Sequence, residues 1–127
     1  MTQRVSATYL IATLQDARAR TLELVNDLDQ EQLMGPKLPG VNPLRWEIGH
    51  IAYFYEFFIL RSLYGHDSIL GLKADELYDS IAVAHDTRWD LPLLSMTETL
   101  AYMNDGLEKV GAHLVNKNED GLASEQD

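Results

Sequence analysis

Apolar residues recur at steps of three and four along three stretches of the chain, and those stretches outline the fold. Leu10, Leu14, Ala17, Thr21, Leu24 or Val25, and Leu28 make one stripe, with Asp16, Arg20, Glu23 and Asp27 on the other face. The spacing predicts an amphipathic helix from about Ser6 to Leu28. Gly35-Pro36 and Pro39-Gly40 then interrupt it, because proline lacks a donor and restricts the residue before it. At Asn42-Pro43 a second helix is expected, with Asn42 as cap and Pro43 at the first helical position. It should run to Tyr64, with Gly65 as a left-handed C-cap. Trp46, Tyr53, Phe54, Tyr55, Phe57, Phe58 and Tyr64 leave this helix apolar on nearly all sides, as expected of the central element. Ser95-Met96-Thr97-Glu98 is a capping box that opens a third helix along Leu100, Met103, Leu107, Val110 and Leu114, weakened somewhat by Gly106 and Gly111.

The long connection from His66 to Leu94 separates the second and third helices, with a short helix around Ala74 to Ala82. It closes on His85-Asp86-Thr87-Arg88-Trp89, and loops of this length are often functional. No stretch reads as a convincing strand, repeat or low-complexity tract. The pattern is all-α: an up-down bundle with three long helices. Three helices around one so apolar leave it short of a neighbour, so a fourth helix is missing.

A length of 127 residues fits one domain, with the bundle over 1–115 and a polar, acidic, disordered tail over 116–127. The net charge of −10 repels phosphate backbones and anionic lipid, which argues against nucleic-acid binding. Ile48 to Leu60 is too short and too broken for a bilayer span, and no signal peptide follows Arg4, so a cytoplasmic protein is expected. With no cysteine, a transition metal could be held only by His, Asp and Glu.

Glu47 and His50, three residues apart, project from one helical face, the spacing by which bundles hold metals in their cores. Aromatic surroundings favour the neutral imidazole that ligates metal, and Gly49 lets another group come close. The competing reading makes His50 a core histidine satisfied by one hydrogen bond. His66 reads as a solvated or C-terminal capping group, His113 as structural, and His85 as the histidine able to fold back toward His50. Arg88-Trp89 reads either as a stacked pair sealing the loop or as an anion grip beside an aromatic wall. Glu56 is expected to be buried and paired with Arg45 or Arg61.

The run from Asn42 to Arg61, with Tyr78-Asp79-Ser80 and His85-Asp86-Thr87-Arg88-Trp89, resembles the N-terminal DinB-like domain of the ergothioneine, ovothiol and selenoneine synthase superfamily. The similarity extends from about Leu10 to Leu114. It implies a four-helix bundle that supplies three histidines to non-haem iron, Fe(II). A second domain would complete an oxygen-dependent site for sulfur–carbon or selenium–carbon bond formation. On that resemblance His50 matches the first iron ligand and Arg88 lies in a region facing substrate, while the helical spacing and the long loop add Glu47 and His85 as possible helpers.

The other two ligands belong to a His-x-x-x-His pair on helix four, so the chain is expected to be a truncated or split module. Alone it should hold Fe(II) weakly or not at all. In one reading it is a non-catalytic binding or interaction module, a homodimer or bound to a partner chain that supplies a fourth helix. In an alternative it is a component of an iron-dependent sulfoxide or selenoxide synthase completed by another chain. A third makes it a degenerate remnant.

Overall fold

The computed structural model describes residues 5–71 and 73–116, so the expected tail lies, beyond its first residue, outside the described residues. Helix α1 spans Ala7–Val25, α2 Gln30–Met34 and α3 Leu44–Phe54. Helix α3 runs on into π-helical turns over Tyr55–Arg61, followed by α4 at Lys73–Tyr78, a 3₁₀ turn at His85–Thr87 and α5 at Met96–Asn116. The protein is all-α, and no strand occurs among the described residues.

Local chemistry sets the boundaries. Ser6 caps α1 by accepting from the Tyr9 amide at 3.1 Å. The helix ends at Val25 rather than Leu28, because Asp29 opens another helix that the apolar stripe does not reveal. Asp29 accepts from the Gln32 amide while Gln32 accepts from the Asp29 amide, at 2.8 and 2.9 Å. This is the same capping box that Ser95 and Glu98 form ahead of α5. There the backbone and hydroxyl bonds from Ser95 hold the Glu98 carboxyl below its usual range.

Asn42 is not the cap of α3. Pro43 takes that position, and the Asn42 amide turns inward to bond Glu47 and Arg88. The expected α-helix to Tyr64 gives way at Tyr55 to wider turns, in which Ser62 donates to the carbonyl of Phe57, five residues back, at 3.0 Å. Gly65 does close the helix in the left-handed region, at φ 71°. Helix α4 stops at Tyr78, short of Ala82, because Asp79 captures the Ile81 amide with its carboxylate and the Val83 amide with its carbonyl.

Helix α5 packs against both α1 and α3, while α2 and α4 close over α3. Trp46, Ile48, Ala52 and Tyr53 of α3 meet Leu77, Tyr78, Leu94, Tyr102, Met103 and Leu107 in the core. Each large side chain so buried contributes about 1.5–3 kcal/mol. Another face of α3 and of the π-helical turns stays open, with Phe54 and Phe58 44% and 57% exposed.

Glu56 is fully buried, as expected, but neither arginine is its partner. Tyr102 donates to it at 2.5 Å and the Ile69 amide donates to its other oxygen, tying the loop after the π-helical turns to the core. Burial and then the bond to Glu56 push the Tyr102 phenol far above its ordinary pKa, so it remains a donor. Arg61 pairs instead with Asp75, and Arg45 donates to the carbonyls of Leu93 and Leu94.

Candidate functional site

Two side chains one turn apart on α3 fasten it to the end of α4. Trp46 donates its indole N–H to the Leu77 carbonyl at 2.6 Å, and His50 Nδ1 lies 2.8 Å from the Tyr78 carbonyl. Both acceptors are carbonyls of the last turn of α4, which have no partner within the helix. A carbonyl can only accept, so the proton of a neutral His50 sits on Nδ1. Nε2 then keeps its lone pair, the tautomer suited to metal ligation.

The approach depends on Gly49. A Cβ at that position would stand 2.2 Å from Tyr78 Cε1, so the space that the bare glycine opens is filled by the Tyr78 ring.

His50 is half-buried in a ladder of rings. Trp46 stacks on it at 4.6 Å between centroids, Phe54 tilts against its other side at 4.4 Å, and Phe58 continues the row at 5.2 Å from Phe54. The ladder climbs from the fully buried Trp46 to the exposed Phe58. Packed between carbon rings, the imidazole is confined in orientation and partly screened from water.

Arg88 supports this ladder from behind. It is 7% exposed, its guanidinium lies 4.1 Å from the centre of a Trp46 ring, and it donates to Asn42 Oδ1 and to the carbonyls of Ser80 and Val83. Only its Nε is buried without an acceptor among the described residues. Asn42 in turn donates to Glu47 at 2.7 Å, so Glu47, Asn42, Arg88 and Trp46 form one chain of contacts beside His50. Arg88 and Trp89 are therefore not a stacked pair: Trp89 sits edge-on to His85 and donates to the Met34 carbonyl.

His85 is held apart from His50's hydrogen bonds, with Nε2 on the Val41 carbonyl at 2.5 Å and Nδ1 3.3 Å from Asp86. His66 is not a solvated cap, since its Nε2 meets Nε2 of His113. Among the described residues no three His, Asp or Glu side chains gather to hold a metal ion. His50 fits as one metal ligand, and the rest of such a ligand set is not found among those residues.

The pairing of Trp46 with His50 and the Tyr78 carbonyl are the parts of this arrangement that the sequence does not mark, and Asn42, expected as a helix cap, bonds Glu47 and Arg88 instead. Trp46 and His50 share the i, i+4 spacing that could have paired them, whereas no sequence pattern marks a main-chain acceptor.

A family model of the DinB superfamily matches residues 13–125. The chain is 36% identical over 98 residues to the hercynine oxygenase of Mycobacterium tuberculosis, covering 76% of this chain and 23% of that protein. It is 38% identical over 90 residues to the hercynine oxygenase of Mycolicibacterium thermoresistibile, covering 68% of this chain and 19% of the relative. The hercynine oxygenase of Mycolicibacterium smegmatis is 36% identical over 89 residues, or 68% and 20% of the two chains. The chain thus spans between 19% and 23% of the length of these curated relatives.

Proposed function

The chain belongs to the DinB superfamily, and from that premise we propose that it is a helical module presenting Nε2 of His50 as one ligand to a transition metal, with no turnover of its own. The observation that carries the reading is the bond from His50 Nδ1 to the Tyr78 carbonyl, which fixes the tautomer. Iron is the metal favoured by the likeness to hercynine oxygenases, and when bound it would supply oxygen activation. One imidazole does not hold iron firmly, so the remaining ligands come from outside the described residues.

Within this proposal the chain's own residues have distinct tasks. His50 offers the lone pair, the Tyr78 carbonyl keeps the proton at Nδ1, and Trp46 and Phe54 restrict water around the ring. Arg88 and Asn42 position Trp46 and Glu47, and a substrate group would reach the unpaired Nε of Arg88 only once that buried atom is uncovered. Glu47 and His85 would help only through water or after rearrangement, since both are engaged elsewhere.

A second reading, an interaction module, is favoured by the exposed row of Phe54, at the end of α3, and Phe58, on the π-helical turns that continue it. A second copy of the chain or a partner helix would cover it. The separate alternative, a component of an oxygenase, would need a different polypeptide on this face.

Anaerobic titration with Fe(II), followed by NMR of the histidine rings, tests the ligand role. Weak paramagnetic broadening should centre on His50 and Phe54 and vanish in His50→Ala. Broadening that leaves His50 untouched would overturn the reading.

A further inference from the structure

One recess in the fold takes no part in the arrangement around His50. It opens where α1 ends and α2 begins, beside the first turns of α5, and holds about 450 Å³. None of its walls comes from α3 or α4. We propose that it is a binding site for a small aliphatic amine, a saturated hydrocarbon chain that carries one cationic head. The proposal does not rest on the role given to His50.

The walls define the body of the ligand. Leu22, Val25, Leu28, Leu33, Met96 and Leu100 line the recess, and all are buried or half-buried. Protein interiors pack closely and keep few voids larger than a water molecule, so a space of this size is more than a packing defect. It falls within the range of about 300–1,000 Å³ usual for small-molecule sites. Water fills it poorly, because an ordered water needs about two to four polar partners and these six side chains offer only a thioether. No aromatic ring lines it, so a flat ligand would find no ring to stack against. A flexible chain suits the branched walls, and the unbranched Met96 can adjust to its length.

The recess follows from the shortness of α2. Its one buried side chain is Leu33, and it packs chiefly on α3. The corner between the end of α1 and the start of α5 is therefore left unfilled.

The mouth defines the head of the ligand. Asn26, Asp29 and Gln30 supply its polar groups. Oδ1 of Asp29 is committed to the Gln32 amide, which leaves Oδ2 for another donor. A carboxylate head would meet Asp29 and the field of a chain at −10, whereas an ammonium is drawn by both. The amide oxygens of Asn26 and Gln30 can accept from the same ammonium.

The test is titration of the chain with n-butylamine, n-hexylamine, n-octylamine, octan-1-ol and octanoate, each below its aggregation limit, followed by methyl NMR of Met96 and the wall leucines. Amine binding should saturate and tighten about fourfold per added methylene until the recess is full. Octanoate should bind more than about tenfold more weakly than octylamine. Asp29→Asn keeps a good helix cap, so it should weaken octylamine while leaving octan-1-ol unchanged. Leu28→Trp fills the space from the half-buried turn between α1 and α2 and should abolish binding of every probe. Thermal midpoints report whether that variant folds, and Asp29→Asn with the chain-length series decides the matter without it. The absence of saturable binding overturns the site and leaves the recess to an apolar side chain of a partner protein. Octanoate bound as tightly as octylamine, or shifts centred on Phe54 and Phe58 in place of Met96, overturns it equally.

Discussion

The ring of Tyr78 lies against the bare Cα of Gly49, so close that a Cβ there would stand 2.2 Å from Cε1 and 2.7 Å from the phenol oxygen. Tyr78 is fully buried and cannot swing aside, so this contact sets how near α4 comes to α3. The nearness is what lets the Tyr78 carbonyl reach His50.

Gly49→Ala should therefore destabilise the fold by about 2–3 kcal/mol, although alanine is intrinsically the better helix former by about 1 kcal/mol. Urea unfolding gives the loss. The Nδ1 resonance of His50 in ¹⁵N spectra should shift with it, because α4 has to retreat. An unchanged midpoint would mean that the two helices are not packed at this distance.

The buried Glu56 joins α5 to the loop after the π-helical turns through Tyr102 and the Ile69 amide. Glu56→Ala leaves both donors without an acceptor and opens a cavity, at a cost of about 3–5 kcal/mol. Tyr102→Phe removes one bond to the carboxyl group and should cost about 1.5–3 kcal/mol. The double variant should lose less than the sum of the single losses, because both act on one bond. Chemical unfolding of the three variants measures the coupling.

These two relationships show where the sequence is legible. The capping box at Ser95, the left-handed Gly65 and the apolar stripes of α1 and α5 are local patterns, and local patterns survive translation into structure. The resemblance legible in the sequence rests on the same kind of local run, from Asn42 to Arg61. What stays hidden is the choice among distant partners. Nothing near Glu56 marks Tyr102, 46 residues away, over Arg61, five positions on, and nothing near Arg88 marks Trp46 over Trp89. The π-helical turns are hidden for a related reason: residue propensities hardly distinguish a fifth-residue from a fourth-residue hydrogen bond, so packing decides. Helix α2 was legible in principle, since Asp29-x-x-Gln32 is a capping box, but five residues are too few to establish a stripe.

Asp75 accepts from Tyr53 at 2.5 Å and from Arg61 at 3.0 Å. Desolvation alone would raise its pKa, but the bonds from Tyr53 and Arg61 outweigh it and hold the carboxyl below its ordinary value. A depressed folded value means that the unfolded chain takes up the proton first. The stabilisation is complete above the unfolded value near 4, erodes as pH falls below it, and is gone beneath the folded value. Asp75→Asn should therefore flatten the acid limb of a stability–pH curve while leaving its slope between pH 6 and 8 unchanged. An acid limb as steep as that of the native chain would assign the loss to other carboxyls.

Arg88 is buried over Trp46 and bonded to Asn42, Ser80 and Val83, a planar fork that an ammonium cannot reproduce. Arg88→Lys should cost about 2 kcal/mol and change the near-ultraviolet circular dichroism of Trp46. A group held only for an anion would tolerate lysine with little loss of stability. A neutral Arg88→Lys variant would thus return the side chain to the grip reading.

The exposed row of Phe54 and Phe58 can be tested without disturbing the core. Both rings lean on their neighbours at 4.4–5.2 Å, yet 57% of Phe58 faces outward, so its replacement costs the monomer little. If a second copy covers this face, Phe58 lies near the centre of the contact, where one aromatic can carry much of the affinity. Phe58→Asp would then place a charge opposite its own copy in a dimer already at −10 per chain, adding repulsion to lost burial. Light scattering across a dilution series should find the native chain dimeric and the variant dissociating at more than about tenfold higher concentration. A native chain that remains monomeric would instead assign the face to a different partner, and equal association in both proteins would place the dimer contact elsewhere on the bundle.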